Sequence, residues 1–410
     1  MRSYLVPLQG HTPNLGVQAV HDESGSRRLG GLRWKAMSRA MTYEGRPHTG
    51  PILVTNQTAQ SGIGVYSHEL FRLLRDSIPE LSLYSLSYRS SLPSPDARRP
   101  AGARTGSGIL SSARAASVNS RLFQSEVDLE ATDLHLCGVD YGLAARAHRA
   151  IATIHDYYFR PLDLRDPRRL HGILTDLASN VINLRTAVQL ESCRQLIVPS
   201  LHAQKQLRET LGLSSRVIYP WIDETRFRPR EKLATRKQLG LPLDAYVLVT
   251  TGGDTWNKNL PTLERIRKDL PAGHLLVKIG APLSSSPKVY NAGVPDFDRY
   301  PEFLSAADCY IHPSLEEGFG IPLIEALGSG VPVVAADRAT SREVLGDAAL
   351  YVNDANDAGS YLSAIGALTD PLTRERLRSA GQERMRQFAR TEALAAYQDV
   401  YDRAFGRQGN

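Results

Sequence analysis

Two acidic residues flank a Gly-Phe-Gly turn in the stretch "HPSLEEGFGIPLIEALGSGVPVV" (312–334). Glu317 lies directly before the turn, and Glu325 falls inside the short apolar helix expected after it. Pro322 suits the first helical position, where a missing N–H costs nothing. The helix is expected to begin just after Gly320 and to end at Gly328 and Gly330. Its unpaired N–H groups and positive dipole end then face the turn, which makes an anion site suited to phosphate. Gly318 and Gly320 let a ligand approach the backbone closely. A bare carboxylate repels phosphate, so the two glutamates must act on either side of it. Carboxylates accept paired hydroxyl donors well. A nucleotide-sugar offers hydroxyls at both ends, ribose and sugar, with the diphosphate between them.

That chemistry needs elements to hold it. The chain has 410 residues with 42% hydrophobic composition, which implies a globular protein of two domains. Residues 1–48 are polar and weakly periodic and read as a poorly ordered extension. Within them, the basic piece 27–41 is compatible with an amphipathic membrane-surface helix. From "PILVTNQ" onward, apolar runs alternate with glycine or polar turns and helices. This rhythm predicts a parallel doubly wound sheet. It pauses near 220–237 and restarts at "YVLVTTGG", so a second Rossmann-like unit is expected. The boundaries read as 49–222 for the first unit and 223–391 for the second. A final helix, 392–408, is expected to complete the first. Residues 90–118, rich in Ser, Pro, Gly and Arg, read as a long loop.

Composition narrows the function. Residues 1–230 hold 29 basic against 20 acidic side chains, and the remainder 20 against 23. A basic first half suits an anionic partner, such as phosphate groups or lipid headgroups. Zinc-ligand spacing and aromatic-rich RNA signatures are both missing, which argues against nucleic acid. Cys137, Cys193 and Cys309 are far apart and read as reduced thiols in a cytosolic protein. The chain has no apolar run of the length that spans a bilayer. Its opening, "MRSYLVPLQGHTPNLG", does not read as a secretory signal.

"SLEEGFGIPLIEALGSGVPVVAAD" resembles the Glu-seven-residues-Glu signature of the family four retaining glycosyltransferases, which have the GT-B fold. The resemblance extends over most of 50–405. "SGIGVYSHEL" is similar to the family's N-terminal glycine loop and helix. "TIHDYYF" resembles its His-Asp segment, and "VIYPWIDETRFRP" its hinge-region strand. "GGDTWNKNL" resembles its phosphate-binding loop, and "SREVLGDAALYVND" the segment after the signature.

The resemblance implies roles. Glu325 would bind the donor ribose. Glu317 would hold the sugar hydroxyls and help stabilise charge at the reacting carbon. Gly318, Phe319 and Gly320 would meet sugar and phosphate through their backbone, with Asn259 and Ile321 also on the donor side. Lys258 would neutralise the departing diphosphate, a task suited to a point charge on a flexible stem. Gly62 and Gly64 would lie across the cleft from the diphosphate. His155 would approach the reacting bond, with Asp156 on the acceptor side. One departure stands out: many relatives carry an arginine five positions before the lysine, and here that position is Gly253.

The implied reaction is retaining transfer of a hexose, mannose favoured, from a nucleotide-diphosphate sugar to a glycan or lipid-linked acceptor. GDP-mannose is favoured over UDP-sugars as co-substrate, with no metal and no cofactor. A cytoplasmic location with peripheral contact to the inner, anionic face of the membrane fits the charge. The alternatives are a sugar phosphorylase, a nucleotide-sugar epimerase, or a non-catalytic nucleotide-sugar-binding protein.

Overall fold

The computed structural model describes residues 50–55, 62–87, 97–105, 109–138, 141–155, 187–296 and 298–406. The extension 1–48, the basic piece 27–41, Asp156 and most of the helix expected over 170–192 lie outside the described residues.

Among the described residues, thirteen strands form two parallel sheets. The first holds β1 (Ile52–Thr55), β2 (Ser82–Ser85), β3 (Ala97–Arg98), β4 (Asp133–Cys137), β5 (Arg149–Thr153), β6 (Gln195–Val198) and β7 (Arg216–Val217) in the order β3-β2-β1-β4-β5-β6-β7. The second holds β8 (Tyr246–Gly252), β9 (His274–Gly280), β10 (Val289–Gly293), β11 (Cys309–His312), β12 (Val333–Ala336) and β13 (Ala349–Val352) in the order β10-β9-β8-β11-β12-β13. Each order reverses once, between β1 and β4 and between β8 and β11. Loops at the carboxyl ends of strands beside such a reversal form a ligand crevice.

The strand sequences explain this architecture. β1 reads Ile-Leu-Val-Thr, and all four residues are buried, as a strand covered on both faces requires. The pleat sends Ile52 and Val54 into one core, with Leu134, Leu136 and Phe123. Leu53 enters the other, with Leu70, Tyr397 and Phe405. The helix Arg390–Phe405 therefore packs on the first sheet although it follows the second in the chain. Helix ends follow local chemistry. The Ser200 hydroxyl caps Leu201–Leu211 by accepting from the Ala203 N–H at 2.9 Å. Gly212 closes that helix at φ 70°, as its sequence position suggests.

Three elements differ from expectation. The loop expected over 90–118 contains β3, and the helix Ile109–Glu126 starts inside it. Side-chain contacts that a local pattern does not display hold this helix. Buried Asn119 donates to the carbonyls of Arg104, Leu86 and Ser87 at 3.0–3.3 Å, and Phe123 is fully buried. The helix Lys232–Leu239 forms where the rhythm pauses. Glu231 caps it, and the Arg236 guanidinium is buried against Asp308 and the carbonyl of Ala306. β10 pairs with β9 at the sheet edge, where its residues stay half-exposed or exposed and lack a buried apolar signature. Among the described residues no helix is long and apolar enough to cross a membrane, and all three cysteines are free.

Candidate active site

The loops after β8 and β11 meet at the reversal of the second sheet. The first carries Lys258 on a short 3-10 turn, Trp256–Lys258. The second carries Glu316 to Gly320 and leads into the helix Ile321–Gly328. Asn259 ties the two together. It adopts a left-handed backbone at φ 52°, donates to the carbonyls of Pro313 and Ala355, and accepts from the Thr262 hydroxyl. Its side chain is thus committed to positioning the Lys258 loop.

Lys258 Nζ lies 2.6 Å from Glu317 Oε1, and His312 Nε2 lies 3.6 Å from the same oxygen. Burial alone would raise the Glu317 carboxyl. Lys258 outweighs it, through its charge and its hydrogen bond, and holds the group below the usual carboxylate range. Burial lowers His312 to about 4, so its ring is neutral near pH 7, and its Nε2 has no hydrogen-bond partner. Gly320 begins the helix at φ 87°, and a Cβ there would meet Leu323 Cδ1 at 3.0 Å. A side chain would strain both backbone and packing. Phe319 turns its ring inward, against Tyr219 and Phe388, and leaves only its backbone to the turn.

Glu325 sits on the same helix, 8% exposed. Its Oε2 accepts from the Tyr300 hydroxyl at 2.7 Å. Burial pushes its carboxyl up to about 7, against the hydrogen bond from Tyr300 and the charge of Arg226.

The first sheet contributes from the facing lobe. His155 follows β5, and its ring packs edge-on to Tyr66 at 4.3 Å between centroids. Tyr66 belongs to the helix Gly62–Leu74, whose first turn holds Gly62, exposed, and Gly64, buried. Burial lowers His155 to about 4, and its Nε2 has no hydrogen-bond partner. It is not within hydrogen-bond or ion-pair distance of Glu317, Lys258 or Glu325.

The two lobes meet around the turn. The Ser200 hydroxyl donates to the Gly318 carbonyl at 2.6 Å. Gln206 donates to Glu316 at 2.5 Å. The Glu343 carboxylate accepts from the N–H groups of Leu201 and His202, at 2.6 and 3.0 Å, at the positive end of the Leu201–Leu211 helix. Ile321 packs against the cores of both lobes.

The sequence reading thus has Lys258, Asn259 and the 317–325 stretch brought together, with His155, Gly62 and Gly64 on the facing lobe. It missed Ser200, Tyr300, His312, Glu343 and Lys278. Lys278 had a readable signal, since a lysine inside the apolar run "HLLVKIGA" of a strand buried on both faces has no route to water. Tyr300 had none, because its partner lies on another element.

The two parallel sheets, each reversing its strand order once, define a two-domain GT-B protein. A sucrose-phosphate synthase from Thermosynechococcus elongatus superposes on this chain with a TM-score of 0.67 at 19% identity, covering 87% of this chain and 99% of that one. Residues 292–384, which contain Glu317 and Glu325, match the family described as glycosyl transferases group 1. A D-inositol 3-phosphate glycosyltransferase of Acidothermus cellulolyticus is 33% identical over 198 residues, covering 42% of this chain and 44% of that protein. An O-antigen chain mannosyltransferase B of Escherichia coli is 38% identical over 113 residues, covering 26% of this chain and 29% of its own. The chain spans about half the length or less of the curated relatives it matches.

Proposed function

We propose that the protein is a retaining, metal-independent glycosyltransferase that moves a hexose from a nucleotide-diphosphate sugar to a glycan or lipid-linked acceptor. The observation that carries this reading is the Lys258–Glu317 pair beside the start of the Ile321–Gly328 helix, with Glu325 buried on that helix. The diphosphate would bind between Lys258 and the helix N-terminus, where amide dipoles and an ammonium meet the charge that grows as the bond breaks. Glu325 would take the ribose hydroxyls in place of Tyr300. Glu317 would take the sugar hydroxyls once the phosphate draws Lys258 away. The bond from the anomeric carbon to the phosphate oxygen breaks, the acceptor oxygen bonds to the same face, and its proton passes to the departing phosphate oxygen. His155, neutral and with an unpartnered Nε2, would line the acceptor side. Contact between the lobes excludes the water that would hydrolyse the donor.

The mannosyltransferase name among the relatives favours mannose, with GDP-mannose as donor. A second reading takes a small phosphorylated acceptor, as the name D-inositol 3-phosphate glycosyltransferase suggests, and the basic first half suits either anionic acceptor. The test is a panel of GDP-mannose, UDP-glucose and other nucleotide-sugars screened by ligand-induced thermal shift. One donor should raise the melting point, by an amount that grows with concentration, and Glu325→Ala should abolish the rise. A panel without any shift would overturn the donor reading. Loss of transfer on adding EDTA would overturn metal independence.

A further inference from the structure

Lys278 is fully buried, on β9 beside β8. Its Nζ donates to the carbonyl of Gly252 at 2.6 Å and to that of Ile279 at 2.8 Å. Among the described residues no carboxylate lies within ion-pair distance of it. This is unusual, because burying an ammonium without a counter-charge is strongly unfavourable. The same glycine touches Lys258: a Cβ built on Gly252 would meet the Lys258 side chain at 3.1–3.4 Å. Two lysines therefore converge on one residue. Glu317 neutralises Lys258, and His312 is neutral, so one positive charge is left over beneath the turn. Burial and the neighbouring Lys258 pull the Lys278 ammonium down to about 8, the response of a cation that lacks an anion.

We infer that Lys278 is a positioning residue for the donor diphosphate: from beneath the Gly252–Gly253 turn it supplies a second positive charge beside that of Lys258. This rests on the diphosphate reading of the site. The counter-charge for Lys278 is then supplied by the phosphates of the ligand. The position does not require the lysine for shape. Gly252 already accepts from the Ala281 N–H at 3.0 Å, and an apolar side chain of similar length fills the same volume.

Lys278→Met and the double variant Lys278→Met/Gly253→Arg test this. Position 253 has open space around a built Cβ, so a side chain can leave the backbone there. Binding of GDP, UDP and the corresponding neutral nucleosides is measured by calorimetry, and melting temperature without ligand alongside. Lys278→Met should keep or raise the ligand-free melting temperature, because it removes an uncompensated buried charge. It should weaken GDP or UDP binding by about tenfold or more and leave nucleoside binding unchanged. The guanidinium introduced by Gly253→Arg in the double variant should recover most of the lost affinity. Unchanged diphosphate binding overturns the inference, as does an equal loss for nucleosides or a double variant no tighter than Lys278→Met alone. A variant that does not fold also overturns it, since the lysine would then serve structure. If the wild type binds neither GDP nor UDP, the donor reading itself falls; if the wild type binds and Lys278→Met matches it, only this inference falls.

Discussion

Two buried polar clusters, one in each lobe, differ in how completely they are satisfied. In the first lobe, His135 lies between the Tyr401 hydroxyl at 2.9 Å and the Thr153 hydroxyl at 2.8 Å, and Tyr66 bonds Tyr397. These groups are neutral, and burial lowers His135 to about 3. They join the Gly62–Leu74 helix, β4, β5 and the final helix into one core. In the second lobe, Lys258, Glu317, Lys278 and Glu325 are charged or near titration, His312 Nε2 lacks a partner, and Lys278 lacks a carboxylate. A closed neutral network rigidifies a fold. A charged cluster left partly unmet carries a cost that structure alone does not recover, and a ligand can recover it. At the edge of the first cluster His155 Nε2 is unpartnered, and it belongs to the residue expected at the reacting bond.

Four experiments break or sharpen that contrast. Lys258→Met should lower kcat by about 10²–10³ with little loss of stability, since on the proposed reading it removes the charge that meets the leaving group. A large drop in melting temperature with normal kcat would make this cluster structural. Tyr401→Phe should do the reverse. It leaves His135 Nδ1 buried without its partner, at a cost of about 1–3 kcal/mol in chemical denaturation, with kcat unchanged at permissive temperature. Acid titration of stability separates the lobes further. His135, His155 and His312 are depressed in the folded state, so the unfolded chain takes up their protons first. Their stabilisation is complete above about 6.5 and is lost as pH falls toward 4, by up to about 1.4 kcal/mol per pH unit for each. Glu325 runs the other way, because its raised folded value makes stability fall as pH rises toward 7. His135→Phe should therefore flatten the acid limb, and Glu325→Gln should steepen it. The smallest effect is on binding. If ionised Glu325 holds the ribose hydroxyls as proposed, donor affinity should rise from pH 6 to 8, by at most about tenfold per unit below 7, and level off above. Glu325→Gln should remove that dependence.

Much of the second lobe was legible because its signals are local. The turn, Pro322 and Gly328 mark both ends of the Ile321–Gly328 helix within a few residues. Apolar runs such as Val247–Val249 mark strands covered on both faces. The Ile109–Glu126 helix was not legible, because Asn119 reaches carbonyls at Leu86, Ser87 and Arg104 that no window along the chain places beside it. β10 was hidden for a different reason. An edge strand with half-exposed residues shows neither alternation nor a buried run.

By itself the sequence determined the local chemistry of this protein: strand and helix types, caps, the Gly-Phe-Gly turn and the two glutamates around it. These follow from spacing, because backbone geometry links residues a few positions apart. Only tertiary structure decided the charges. Glu317 is held ionised because Lys258 arrives from another loop, Glu325 is pushed up to about 7 because the lobe closes over it, and Lys278 is left alone because the sheet buries it where no acid among the described residues reaches. Desolvation and Coulomb interaction depend on distance through space, which a linear chain does not record.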